Sequence, residues 1–482
     1  MTDGAARLLA VQGENLPPSH PFHEVFRRLT ARDDFWTSGQ WMTERAGGSD
    51  IQNSETWATY SPLAQKTGKY GRIDEGDYLV FGFKFFSSAT DANIAVLLAK
   101  TESGKISVFL APLTRLVVDE QGKERRVTNG IRIHRLKTKL GTKQLPTAEL
   151  ELKDVRAHLV GPLDRGVATI STLLNITRVH TFNGTVAGLG RCLSSAKAFA
   201  RARTTRGQAL MTVPLHLRTL ADVELKRRGI LHLSQFTAAL LGFVESGFPA
   251  NMPAGLSCLP TTGKEAEVVL RALTATAKAF CSKVVIQGVQ ECMEAMGGVG
   301  YIDDPDDSEH NIARSYRDLT VNAIWEGTTN VMSSELLRFI SVRGNLSILS
   351  QWVSRNVERI RGEVYRCALQ RSWKALHTRL DVATNDIEEA LGDGRRALFS
   401  LGWVICGLLL VVDAERDGDE LATEAARRWV LSGEGGVGEW VFHDVMRVGD
   451  DQSRPQTLKI RAAWDSRFLY GDAGGVNVAS RL

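Results

Sequence analysis

The chain of 482 residues changes its hydrophobic period near Gly166, and that change constrains the fold more than any single motif. Over residues 41–160 the apolar residues come in short β-branched and aromatic runs. Examples are Tyr78-Leu79-Val80-Phe81, Ile94-Ala95-Val96-Leu97-Leu98, Ile106-Ser107-Val108-Phe109-Leu110 and Ala148-Glu149-Leu150-Glu151-Leu152. Turn signals such as Asp74-Glu75-Gly76-Asp77 and Asn129-Gly130 separate them. This pattern predicts a compact β-barrel or sandwich. From Gly166 onward the spacing is helical over 166–203, 215–246 and 264–296, with few breakers. The stripe Leu217, Leu220, Val223, Ile230, Leu233, Phe236, Leu240 and Phe243 reads as core packing. With a further helix over 331–340, these segments predict an antiparallel bundle. A chain this long needs several cores. The expected organisation is a multi-domain α+β protein. Residues 1–40 hold one or two brief helices, 41–162 a β domain, 163–342 a helical bundle and 343–482 a helical extension.

Composition removes several classes. The net charge of +4 is small for this length and makes no case for nucleic acid. Residues 345–482 hold about as many acids as bases, so they supply no basic tail. The six cysteines (Cys192, Cys258, Cys281, Cys292, Cys367, Cys406) are dispersed without a C-x-x-C pair. That argues against a disulfide framework or a metal site and for a reducing compartment. No basic segment followed by an apolar stretch opens the chain, so no secretory signal is expected. The apolar run 398–412 is too short, at ~1.5 Å per residue, to cross a ~30 Å hydrocarbon layer, and reads as a buried helix. Residues 433–438 spell G-x-G-x-x-G, but a helical segment precedes them and no βαβ unit surrounds them, so they read as a linker. Ser480-Arg481-Leu482 resembles the Ser-Lys-Leu tripeptide read by the peroxisomal import receptor, with a cytoplasmic location as the alternative.

The chemistry concentrates in a few short stretches. In Ile324-Trp325-Glu326-Gly327-Thr328-Thr329-Asn330 a bulky pair delivers one carboxylate onto a glycine turn, and three N-cap candidates follow. Partial desolvation beside an indole and tight backbone would raise that carboxyl toward a useful general base. A surface acid near a helix start is the plainer reading. Met42-Thr43-Glu44-Arg45-Ala46-Gly47-Gly48-Ser49-Asp50 can present backbone N–H groups to a flat polar ligand or a phosphate, or be an ordinary Gly-Gly turn. Lys84-Phe85-Phe86-Ser87-Ser88 can pack on and hydrogen-bond a ring system, or be a strand edge. Arg203-Thr204-Thr205-Arg206-Gly207 suits a diphosphate as well as a helix dipole. Glu294-Ala295-Met296-Gly297-Gly298-Val299-Gly300-Tyr301 leaves a helix in a glycine-rich turn that allows close approach of a ligand, or serves only as a C-cap.

In this order, over about residues 40–340, these motifs resemble the acyl-CoA dehydrogenase family. Several are worded as in its AidB-like branch, namely Trp325 before Glu326, the Phe-Phe-Ser-Ser stretch and the extension past residue 345. The resemblance implies FAD bound between a middle β domain and a four-helix domain. It places Met42, Thr43, Gly48 and Ser49 along the isoalloxazine and the acyl-CoA. Phe86 takes the position of a flavin-stacking Trp, and Ser88 that of a hydroxyl near flavin N5. Arg203 and Thr205 are assigned to the pyrophosphate of a neighbouring subunit's FAD, which implies a homodimer or homotetramer. Glu294, Gly297 and Gly298 are assigned to the adenosine part, and Thr328 and Asn330 flank the flavin phosphates. Arg178 lies behind the active site, with Trp325 and Gly327 around the base. Glu326 is the catalytic base for α,β-dehydrogenation of an acyl-CoA thioester, in fatty-acyl or secondary-metabolite chemistry. An electron-acceptor flavoprotein is the partner. The alternatives are an acyl-CoA oxidase using O2, a nucleic-acid-associated flavoprotein and an inactive relative. Two departures stand out. Only residues 1–40 precede the Met-Thr-Glu motif, where the family has an α-helical domain, and Arg206 stands where the family usually has Phe.

Overall fold

The computed structural model describes residues 1–48, 53–248, 258–307, 310–436, 440–446 and 458–471, with the side chains of the last segment described from 463 onward. Ser49, Ser480, Arg481, Leu482 and part of the 433–438 glycine stretch therefore lie outside the described residues. Internal contacts divide the chain into two units, Met1–Arg178 and Val179–Leu482.

The first unit opens with α1 (Thr2–Gly13) and α2 (Pro21–Thr30). The strands follow as β1 (Ser38–Thr43), β2 (Trp57–Tyr60), β3 (Tyr78–Ser88), β4 (Ile94–Lys100), β5 (Ile106–Pro112), β6 (Thr114–Val118), β7 (Glu124–Thr128), β8 (Ile131–Leu136) and β9 (Thr147–Val160). Seven strands form one sheet in the order β1-β3-β2-β4-β5-β9-β8. Because β3 also pairs with β9, antiparallel from Tyr78↔Ala157 to Ser88↔Thr147, the sheet closes into a barrel. Between barrel and sandwich, the β region is thus a barrel. Successive side chains on a strand point to opposite faces. On β4 this gives two cores at once. Ala95, Leu97 and Ala99 join Trp41, Phe109 and Leu150 in one cluster. Ile94, Val96 and Leu98 join Val108, Leu110, Leu8, Leu9, Phe22 and Val25 in the other. The two short N-terminal helices thus cover one face of β4 and β5.

Helix α3 (Gly166–Ala202) starts in the first unit and continues in the second. A small hairpin, β10 (Thr204–Thr205) and β11 (Gln208–Ala209), leads to α4 (Pro214–Ser246) and α5 (Gly263–Ala295). The three long helices fall within about a residue of the stretches read from periodicity. Then come α6 (Ile312–Thr320), α7 (Thr329–Ser341), α8 (Asn345–Glu358), α9 (Glu363–Asn385), α10 (Ile387–Gly392), α11 (Gly394–Asp417), α12 (Glu420–Val430), α13 (His443–Met446) and α14 (Leu458–Tyr470). Helix α12 before the glycine stretch is the helical segment that argued against a dinucleotide loop.

The segment around 398–412 is not too short to cross a membrane, because the helix extends beyond the apolar run. Helix α11 is 24 residues, longer than the apolar run inside it, and by length and composition it could cross a membrane. It is instead covered by protein, with Leu398, Leu401, Trp403, Val404, Ile405, Cys406 and Leu408 all fully buried. Its neighbours are α4, α5, α7, α9 and α12. Arg428 on α12 is also fully buried, donating to Glu424 and to Asp465 of α14.

Candidate active site

In the second unit the chain leaves α6 through a short 3-10 turn (Val321–Ala323) and reaches Glu326 just before α7. Glu326 adopts φ +57° and Gly327 φ +104°. A left-handed φ is unfavourable for a side-chain-bearing residue, so the turn is held by its surroundings. Gly327 has a second reason to be glycine, since a Cβ there would lie 2.4 Å from Cε of Met332. Of the three cap candidates it is Thr328 that caps α7, its Oγ1 accepting from the Val331 N–H at 3.4 Å. Thr329 is buried, and Asn330 turns its Oδ1 to the Nε of Arg395, 2.5 Å away. Glu326 is half-buried, while Ile324 and Trp325 stay 62% and 38% exposed. The indole therefore shields the carboxylate less than its place in the sequence suggested.

Two residues that the sequence reading missed lie beneath this turn. Lys278 and Ser282 on α5 are fully buried. The Lys278 Nζ donates to the Gly327 carbonyl. The Ser282 Oγ donates to the Asn322 carbonyl at 2.9 Å. The available signal was a lysine inside Thr274-Ala275-Thr276-Ala277-Lys278-Ala279-Phe280, a stretch otherwise without charge.

Elsewhere in the same unit, Arg206 (φ +49°) and Gly207 (φ +80°) form the two-residue turn of the β10–β11 hairpin. Positive φ at both turn residues matches the right-handed twist of the flanking strands. The side chains of Arg203, Thr205 and Arg206 are exposed and have no hydrogen-bond or ion-pair partner among the described residues. At the end of α5, Glu294 accepts from Gln290 Nε2 at 3.1 Å. Gly297 turns at φ +60°, and a Cβ added at Gly297 or Gly298 would meet nothing within 4 Å. Packing does not require glycine at 298, which leaves the turn open to a ligand.

In the first unit Met42 and Thr43 are half-buried at the end of β1, and Gly48 is exposed with Thr43 against it. Glu44 does not face outward with them. It is buried, and accepts from Lys84 Nζ and Thr56 Oγ1 (both 2.6 Å), Ser54 Oγ and the Glu55 N–H. Burial would raise its carboxyl, but Lys84 and the two hydroxyls outweigh it and hold it below the usual range. Burial pulls Lys84 down, against the pull of Glu44. The Gly-Gly loop is thus tied to β3 through a buried ion pair. At the end of β3 the Phe86 ring is 47% exposed. Lys137 Nζ sits 3.3 Å from the Phe85 ring centre and 4.6 Å from that of Phe86. It also bonds Glu149 at 2.7 Å. Lys137 first, then Arg135, draws the Glu149 carboxyl down to about 2 against its burial. Ser88 Oγ is 2.9 Å from Thr147 Oγ1. Arg178 is half-buried on α3, in the last position of the first unit.

These donor sets fit a flavin dinucleotide, each on its own unit. An exposed aromatic ring beside hydroxyls suits a flat heteroaromatic system. Unpaired guanidinium groups suit a diphosphate.

A closed β-barrel followed by a bundle of long helices, with a carboxylate on a glycine turn, is the acyl-CoA dehydrogenase fold. Family models for the acyl-CoA dehydrogenase middle domain and C-terminal domain match residues 39–155 and 164–341. Acyl-CoA dehydrogenase family member 11 of Caenorhabditis elegans is 34% identical over 437 residues, covering 85% of this chain and 64% of the relative. The AidB protein of Escherichia coli is 31% identical over 314 residues, 65% of this chain and 50% of the relative. The chain thus spans less than two thirds of either curated relative. The crystal structure of C. elegans ACDH-11 in complex with C11-CoA superposes with a TM-score of 0.76 at 32% identity, over 91% of this chain and 72% of that one. The chain belongs to the acyl-CoA dehydrogenase family, which is FAD-dependent.

Proposed function

We propose that this chain is an FAD-dependent acyl-CoA dehydrogenase in which Glu326 removes the α-proton of an acyl-CoA thioester. The observation that carries the reading is the Glu326–Gly327 turn, a half-buried carboxylate on strained backbone at the capped start of α7. Strain of this kind clusters at functional sites because the surroundings must hold it. FAD, when bound, supplies the two-electron acceptor. Met42, Thr43, Gly48, Phe86 and Ser88 would hold its ring system. Arg203 and Thr205 would hold the diphosphate of a neighbouring subunit's FAD, with Arg206 as a further cation. Glu294, Gly297 and Gly298 would take the adenosine end, and Thr328 and Asn330 would stand by the phosphates. As the α-proton leaves, charge grows on the thioester oxygen, and the Glu326 backbone N–H is the donor assigned to it.

The C. elegans relative was crystallised with C11-CoA, which supports acyl-CoA thioesters of about that chain length as the first class to test. The experiment is anaerobic mixing of FAD-loaded protein with acyl-CoA thioesters of graded length while flavin absorbance is followed. Bleaching by one length class is expected; no bleaching by any thioester would defeat the reading. Hydrogen peroxide release in air would assign O2 as acceptor in place of a flavoprotein.

A further inference from the structure

We propose that Lys278 and Ser282 are positioning residues that clamp the turn carrying Glu326 from below, one at each end. They stand four residues apart on α5 and so project from the same face, about one turn apart. Ser282 Oγ shares its single hydrogen between the Asn322 carbonyl, before the turn, at 2.9 Å and the Lys278 carbonyl at 2.6 Å. Lys278 Nζ donates to the Gly327 carbonyl, just after it. Six residues of chain, from Asn322 to Gly327, are thereby fixed at both ends to one helix.

A fully buried ammonium is costly to keep, and a methionine would fill similar space without that cost. What methionine lacks is a charge-assisted donor for the Gly327 carbonyl. That bond fixes the plane of the peptide that follows Gly327, and with it the left-handed Glu326 backbone and the direction in which its side chain leaves. The packing of Met332 under Gly327 closes the third side. The proposal rests on the reading of Glu326 as the base, but its structural half stands alone. The clamp must order the turn whether or not the protein turns over a thioester.

The test compares Lys278→Met, Lys278→Arg and Ser282→Ala with the parent in two measurements. The first is amide hydrogen exchange. In Lys278→Met, exchange in residues 322–328 should rise roughly tenfold or more while amides in the middle of α5 keep their protection, a local opening rather than a global one. The second is flavin reduction by an acyl-CoA the parent accepts. The limiting rate should fall roughly tenfold or more, as small misplacement of a reacting group does. The half-saturating acyl-CoA concentration should stay within about threefold, because the clamp orients the base and does not hold the substrate. Lys278→Arg should recover part of the rate. Ser282→Ala should show the same exchange pattern more weakly, and it carries the test if Lys278→Met does not fold. A structural role in α5 alone would instead raise exchange along the helix and leave the rate of folded protein unchanged. Unaltered exchange in 322–328 overturns the clamp. Raised exchange with an unaltered reduction rate overturns its positioning role. If the parent reduces no flavin, the base assignment fails while the exchange result still decides the clamp.

Discussion

Glu326 carries its carboxylate on a backbone conformation that costs an L-residue roughly 1–2 kcal/mol. The chain keeps it there with a following glycine at φ +104°, a threonine cap and two buried donors from α5. Glu326→Gln preserves shape and most hydrogen bonding but cannot accept a proton at neutral pH. Flavin reduction by a competent acyl-CoA should fall roughly 10²–10⁴-fold, as expected on loss of a general base. Bound FAD and the melting temperature should hardly move, and rapid-mixing absorbance beside a melting curve reads both. An unchanged rate would remove Glu326 from the chemistry. The Glu44–Lys84 pair makes the opposite prediction. It is buried, it receives Ser54 and Thr56 as well, and it holds the first glycine loop to the barrel. Lys84→Met leaves a buried carboxylate without its cation and should cost about 3–5 kcal/mol, seen as a lower urea midpoint. Lys84→Met with Glu44→Gln should recover much of that loss, because both charges leave together.

Among the elements, α2 is fixed by a cap that titrates. Pro21 begins the helix, and His20 Nδ1 accepts from the Phe22 N–H at 3.3 Å. Burial, then the nearby His158 and His23, lowers His20 from 6.5 to about 4. Burial lowers His158 as well. The unfolded chain therefore takes up these protons first as pH falls. Their contribution to stability is complete above about pH 6.5 and is lost progressively toward pH 4. Melting temperature should drop between neutral pH and pH ~5, and His20→Asn, which caps without titrating, should lessen the drop. An equal drop in both proteins would show that His20 does not set it. Which elements the sequence revealed follows from their length and partners. Helices α3, α4 and α5 repeat their pattern over many turns and were legible almost to the residue. Helix α6 has nine residues, so its apolar Ile312, Ala313, Tyr316 and Leu319 keep helical spacing for little more than two turns, shorter than the roughly 11–18-residue window over which a period separates helix from loop. In α11 the apolar run stops at Asp413 while the helix continues to Asp417. Glu326 and Gly327 were legible because the turn chemistry lies in adjacent residues. Lys278 was not, because its acceptor lies 49 residues further along the chain. Lys137, over the Phe86 ring, was hidden for the same reason.

At the scale of the whole molecule, the ring and the diphosphate of FAD are assigned to different residues, so the cofactor's effect on global stability tests the assignment without any turnover. A ligand that binds only the native state stabilises it by about 2.7 kcal/mol at a hundred times its Kd. For a protein of this size that is a rise in melting temperature of at least roughly 3 °C. FAD and riboflavin share the ring that Phe86 and Ser88 are assigned to hold. Only FAD brings the diphosphate assigned to Arg203 and Thr205. Those side chains are exposed at the β10–β11 hairpin and have no hydrogen-bond or ion-pair partner among the described residues, so losing one should cost binding rather than folding. FAD should therefore raise the melting temperature well above the small rise from equal riboflavin. Arg203→Ala should bring the FAD shift down toward the riboflavin shift, through loss of charge-assisted bonds worth about 1.5–3 kcal/mol. The melting temperature without ligand should stay where it was. Equal shifts from FAD and riboflavin, or an FAD shift that Arg203→Ala leaves intact, would take the diphosphate away from the hairpin and leave its cations unexplained.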